Sequence, residues 1–179
     1  MLAAISLAVY QAVLIPLLCM GMPADWTDEE KLTQATIACI GLGVGEVIGG
    51  LLFGQIQDRF GTQIATKVNF FEWILACIAL LAYTLHNTYS FESAFTVALL
   101  WGVQDCSLNS FQFTVCGKQF EQLTTAFAIY YWFKSVFGFI CICLESLMTT
   151  TEAYMIYLSV VTAFGAFAWL LFMFGFELK

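Results

Sequence analysis

Residues 36–56 read TIACIGLGVGEVIGGLLFGQI, and QDRFG follows at 57–61. A helix of this length rises about 32 Å, enough to cross the ~30 Å hydrocarbon core of a bilayer. Glu46 stands near its middle among six glycines. On a helical projection Gly41, Gly45 and Gly49 form one stripe and Gly50 and Gly54 a neighbouring one, so another helix can approach closely along them. Glu46 projects between Gly49 and Gly50, toward that partner and away from lipid, where an ionised carboxylate costs at least ~2.5–3.5 kcal/mol. Two readings stay open: a protonated glutamate that fixes packing, or a proton or ion site.

The rest of the chain keeps the same solvent. Hydrophobic residues make up 61%, charged residues 11%, and the mean hydropathy is +0.85. A water-soluble globule holds about half apolar and about a quarter charged residues, so an all-α membrane protein is expected. The net charge of -7 is dispersed, and no basic patch carries interleaved aromatics, which excludes nucleic-acid binding. Apolar runs of spanning length occur at 1–22, 36–56, 68–85, 93–115, 125–148 and 153–176, predicting a single six-span bundle over 1–179. The first run has neither a basic leader nor a small-residue cleavage site, so it reads as a span and not as a signal peptide. Most of the seven cysteines lie inside apolar runs. Cys141 and Cys143 point about 200° apart on a helix and do not share a metal ion. No metal site and no cofactor are expected. There is no phosphate loop and no nucleophile elbow, so no enzyme is expected. His86 stands alone and reads as surface, and the phenylalanines read as packing and lipid contact.

The connections carry helix punctuation. Thr27 with Glu30, and Thr149 with Glu152, fit the Thr-x-x-Glu capping box. A second helix that starts near Asp28 and ends near Gln57 is ~45 Å long, so its acidic beginning stands outside the hydrocarbon, with Trp26 as an interfacial anchor. Cys116-Gly117-Lys118 supplies a glycine stop and a cation for the fourth run. Arg59, Lys67, Lys118 and Lys179 fall on one side of the membrane, Lys31 on the other and Lys134 within a span. The positive-inside rule then puts the termini on the cytoplasmic or equivalent side. Which membrane is not specified by these residues.

Further polar groups lie inside the apolar runs. In WGVQDCSLNSFQF, at 101–113, Trp101, Asp105, Asn109 and Gln112 fall within about 80° of one another, a stripe suited to a wet cavity. Lys134, Gly138, Cys141 and Glu145 share a face of the fifth run, but Lys134 and Glu145 are ~16 Å apart along the axis and need separate partners. Lys134 is deep enough that pairing with Glu46 or Asp105 is expected.

The segment GQIQDRFG at 54–61 resembles the signature loop of the major facilitator superfamily, carried by Gly54, Asp58, Arg59 and Gly61. Gly54 would permit close helix contact, Asp58 would bond the N-terminus of a neighbouring helix, and Gly61 would allow a tight reversal. Thr62 and Gln63 stand where that superfamily continues with basic residues. GLGVGEVIGGLLFG at 41–54, then WGVQDCSLNSFQF and AFAIYYWFKS at 126–135, are similar to the uncoordinated-93-like family within it. The resemblance covers about 41–135, with Tyr131 where that family often has a lysine. It implies the carboxyl-terminal half of a twelve-span protein, whose first and fourth helices line a cavity, second and fifth flank the other half, and third and sixth face lipid. It also implies an accessory or regulatory partner of an ion channel or other membrane protein complex, or a scaffold subunit of a larger assembly. The alternative is half of a proton- or cation-coupled transporter of small solutes. There Asp105 takes up the cation, Asn109 and Gln112 orient the solute, and Glu46 and Lys134 adjust the charge. Both need partners besides the lipid bilayer: a second six-span half or another membrane protein complex.

Overall fold

The computed structural model describes residues 6, 8–86 and 89–175. The outermost part of the expected first span, the end of the expected sixth at Phe176 and the Lys179 charge lie outside the described residues. Every described element is a helix. The first, α1, begins as π-helical Val9–Val13 and passes directly into α-helical Leu14–Met20. Its wide turn lies just ahead of Pro16, which lacks the amide hydrogen that would bond one turn back. Helix α2 is Asp28–Ala38 and α3 is Ile40–His86, separated by Cys39 alone. Then come α4 (Phe91–Gln119), α5 (Leu123–Glu145) and α6 (Thr151–Gly175).

Helix α3 turns back on itself at Gly61, where φ is 79° and ψ 172°, a conformation open essentially to glycine. The reversal expected at Gly61 therefore divides α3 into an arm at 40–60 and an arm at 62–86. Three stretches are long and apolar enough to cross a membrane: the 59-residue Asp28–His86, which includes both arms, then Leu123–Glu145 and Thr151–Gly175. The expected runs at 1–22 and 93–115 are not among them. Of the first, the described helical residues are 6 and 8–20, too few to count as a span. Helix α4 has 29 residues, but Gln104, Asp105, Ser107, Asn109 and Gln112 lower its hydropathy. The chain is thus all-helical and membrane-associated, with three such stretches among the described residues.

Glycines set the central contact. Gly41, Gly45 and Gly49 are buried against the α4 backbone at Phe95, Leu99 and Val103, and Gly102 of α4 is buried against Leu42 and Glu46. The paired numbers rise together, so the 40–60 arm runs parallel to α4. The 62–86 arm runs antiparallel to α4, with Trp73 edge-on to Trp101 at 5.7 Å between ring centroids. Helix α6 lays Gly165 under the Trp73 indole and sets Trp169 at a tilt against Phe111, 5.5 Å between ring centroids. At one end of the bundle Trp26 meets Tyr89 edge-on at 5.2 Å, and the Tyr83 hydroxyl donates to the Leu18 carbonyl at 3.0 Å. Large apolar side chains also cover the outside: Phe71, Phe139, Leu147 and Phe174 are each more than two-thirds exposed.

The helix ends partly follow the sequence pattern. Thr27 and Glu30 form the reciprocal capping box, which holds the Glu30 carboxyl below its ordinary range through hydrogen bonds from the Thr27 backbone and side chain. At α6 the cap is Thr150, whose hydroxyl accepts from the Ala153 amide at 3.2 Å, one residue beyond the Thr149 expected. A Ser90–Ser93 box that the Thr-x-x-Glu pattern does not describe starts α4. Gly117 does not stop that helix, which continues to Gln119 before Phe120 turns extended.

Candidate functional site in the middle of the bundle

Asp105 is the fifteenth of the 29 residues of α4, about 21 Å of helix from either end. Its carboxylate is buried and accepts from the Ser6 hydroxyl at 3.1 Å and from Asn109 Nδ2 at 3.0 Å. The same Asn109 nitrogen donates to the Asp105 carbonyl at 2.8 Å, bonding one helical turn back and fixing the amide. Asn109 Oδ1, thereby turned toward α5, accepts from Lys134 Nζ at 2.9 Å and from the Tyr130 hydroxyl at 3.4 Å. Lys134 is likewise the central residue of α5, about 16 Å from each end. One asparagine therefore links an acid on α4 to a base on α5 at the same height, while Ser6 ties in the beginning of the first helical segment.

Lys134 thus meets Asn109 directly, rather than Asp105 or Glu46 as the sequence suggested. The spacing explains it: Asn109 is one turn beyond Asp105 on the face toward α5. Both Lys134 and Glu46 lie within electrostatic range of Asp105. Glu46 is half-buried on the 40–60 arm, its backbone packed at Gly102, and its carboxylate has no hydrogen bond to any described residue. Glu145 has the separate partner its distance required, accepting from the Tyr154 hydroxyl at 2.7 Å, while the Cys141 carbonyl accepts from Tyr157.

The expected stripe on α4 divides among several neighbours. Trp101 turns to Trp73. Asp105 and Asn109 face Ser6 and α5. Gln112 enters a 250 Å³ groove lined by Phe111, Tyr130, Ala168 and Phe172, where its Oε1 is buried without a partner among the described residues. Around the loop, Gly54 has open space where close helix contact was expected, and Asp58 is exposed without the expected bond to a helix N-terminus. Arg59 is also exposed. The last turn of the arm projects these side chains outward, so Gly61 alone carries the turn geometry.

Sequence reasoning missed a second polar set, on the opposite side of α4. Asn69 and Glu72 on the 62–86 arm meet Gln104 and Ser107. Each pair is three residues apart within an apolar run, the spacing of one helix face, and that was the available signal. Comparison with known protein families, curated proteins and solved structures finds no match.

Proposed function

We propose that the chain is a six-span bundle of the major facilitator type, similar to the uncoordinated-93-like family, acting as an accessory or regulatory subunit of another membrane protein. One observation carries this reading: Glu46, level with Gly102 of α4, and Lys134, at the middle of α5, are only half-buried. Ionisable groups at that depth face protein or trapped water, because exposing them to hydrocarbon costs several kcal/mol. The helices that hold them also present long apolar faces outward, through Val44, Val47 and Leu51 on the arm and Trp132, Val136 and Phe139 on α5. A second membrane protein lying over both helices would cover the two charges and bury these faces. Photocrosslinkers at Val47 and Val136 in native membranes test the reading. Adducts with another membrane protein support it, and adducts with lipid alone refute it.

A transporter half is the second reading, favoured by the Ser6–Asp105–Asn109–Lys134 chain. A buried carboxylate held by two neutral donors and joined through one amide to an ammonium is suited to taking up a proton or cation near the bilayer midplane. In this reading the covering protein is a homologous six-span half. Asp105→Asn in a reconstituted flux assay should abolish pH-dependent uptake; unchanged uptake with unchanged pH dependence removes this reading.

A further inference from the structure

Between the 62–86 arm and α4, Asn69, Gln104 and Ser107 are wholly buried. Ser107 has one hydroxyl hydrogen but two acceptors within reach, Glu72 Oε2 at 2.7 Å and the Gln104 carbonyl at 3.1 Å. It also accepts from Asn69 Nδ2 at 3.1 Å, while Gln104 Nε2 donates to Asn69 Oδ1 at 3.4 Å. The set is one hydrogen short, since a hydroxyl donates once. A proton on Glu72 supplies it: Glu72 donates to Ser107 Oγ, Ser107 donates to the Gln104 carbonyl, and Asn69 continues to donate to Ser107. Depth argues the same way. Glu72 lies inside the apolar run at 68–85, about 16 Å of helix from Gly61 and about 21 Å from the end of its arm, and an ionised carboxylate within the hydrocarbon is penalised.

Among the described residues no cation bonds the Glu72 carboxyl. Across from Glu72, α4 carries Asp105 and Cys106, and the titratable groups of α6 are Glu152, Tyr154 and Tyr157 near its start. Its own arm carries Lys67, exposed and about 7.5 Å of helix away on a different face, with Cys77, Tyr83 and the terminal His86. Glu72 is half-buried, and the Ser107 hydroxyl is the one described group hydrogen-bonded to it. We infer that Glu72, with Ser107, Asn69 and Gln104, is a second intramembrane proton-binding site, separate from the Asp105 cluster. On release the proton leaves Glu72 Oε2 for water, and the Ser107 hydroxyl swings from the Gln104 carbonyl to the carboxylate.

Infrared spectroscopy of the full chain in phosphatidylcholine vesicles tests this through the carbonyl band of protonated carboxyls. The expected result at neutral pH is a band lost in Glu72→Gln, retained in Asp105→Asn, and moved to higher frequency in Ser107→Ala, which removes the oxygen accepting the proton. Glu72→Gln should keep the wild-type melting temperature, because its amide donates in place of the acid. A band unchanged in Glu72→Gln overturns the site. Should that variant fail to fold, Ser107→Ala decides alone, and an unmoved band overturns it. A band that appears only when sodium is withdrawn overturns the proton assignment in favour of a sodium ion.

Discussion

Replacing Gly49 with alanine places a methyl carbon 2.5 Å from the Val103 carbonyl oxygen and 2.9 Å from the Val103 Cα. Both atoms are α4 backbone, so no side-chain rotation relieves the clash. Restoring an ordinary 3.4 Å contact requires the 40–60 arm and α4 to separate by about 0.9 Å, and forced repacking of this kind costs ~1–3 kcal/mol. Alanine's better helix propensity returns ~0.5–1 kcal/mol, leaving a net loss of up to roughly 2.5 kcal/mol. Gly43, on the same arm, has nothing within 4 Å of an added methyl. Gly43→Ala should therefore gain the propensity term alone, so the two variants separate by about 1–3 kcal/mol, a factor of roughly 5 to 150 in the folding equilibrium. Equilibrium unfolding in mixed micelles, titrated with a denaturing detergent, measures both. Equal effects within about 0.5 kcal/mol would refute the backbone-on-backbone contact.

Asn109→Leu strips hydrogen bonds from both Asp105 and Lys134 and should destabilise the bundle by ~1–3 kcal/mol. Lys134→Met, which leaves Asn109 Oδ1 to Tyr130, should cost less by the same unfolding assay. Gly61→Ala should cost ~1–3 kcal/mol through backbone strain alone. Since its surroundings are open, Gly61→Ser should cost the same, and a marked difference would point to a steric cause instead. Glu30 titrates below its ordinary 4.5, so its contribution to the α2 cap is complete above that value and is lost as pH falls through the lowered one. Thr27→Ala, which removes the hydroxyl but keeps the backbone amide that also donates to Glu30, should move the Glu30 titration, followed by NMR, part of the way back up; an unchanged midpoint would mean the box is not formed in solution.

Local chemistry made some features legible and tertiary register hid others. The stripe of Gly41, Gly45 and Gly49 appears from spacing alone, and so does the Thr27 cap, because each depends on a single helix. Asp105 and Asn109 fall on one face for the same reason, although the role of Asn109 as the link to Lys134 depends on how α5 is aligned with α4. The Glu72 set was hidden because it needs the register of the 62–86 arm, which Trp73 against Trp101 sets, and those tryptophans are far apart in the chain. Trp101 shares the Asp105 stripe on a helical projection yet turns to Trp73, since a helix with neighbours on several sides has no single polar face. At α6, adjacent threonines compete for one cap, and pattern matching does not separate Thr149 from Thr150.

Helix α5 is held unlike the others. Gly138 is its single buried residue, and its polar ties sit at two heights: Lys134 and Tyr130 on Asn109 halfway along, and Cys141 and Glu145 with the α6 tyrosines near one end. The opposite end, from Leu123 to Phe127, touches the body through Phe127 against Phe113. A helix pinned in this way answers a change in bilayer thickness by tilting its loose end, a small cost per ångström of mismatch, while the glycine-packed core keeps its geometry. Thinner and thicker membranes should therefore present different inclinations of α5 to whatever lies alongside it, making lipid length a graded control on that contact.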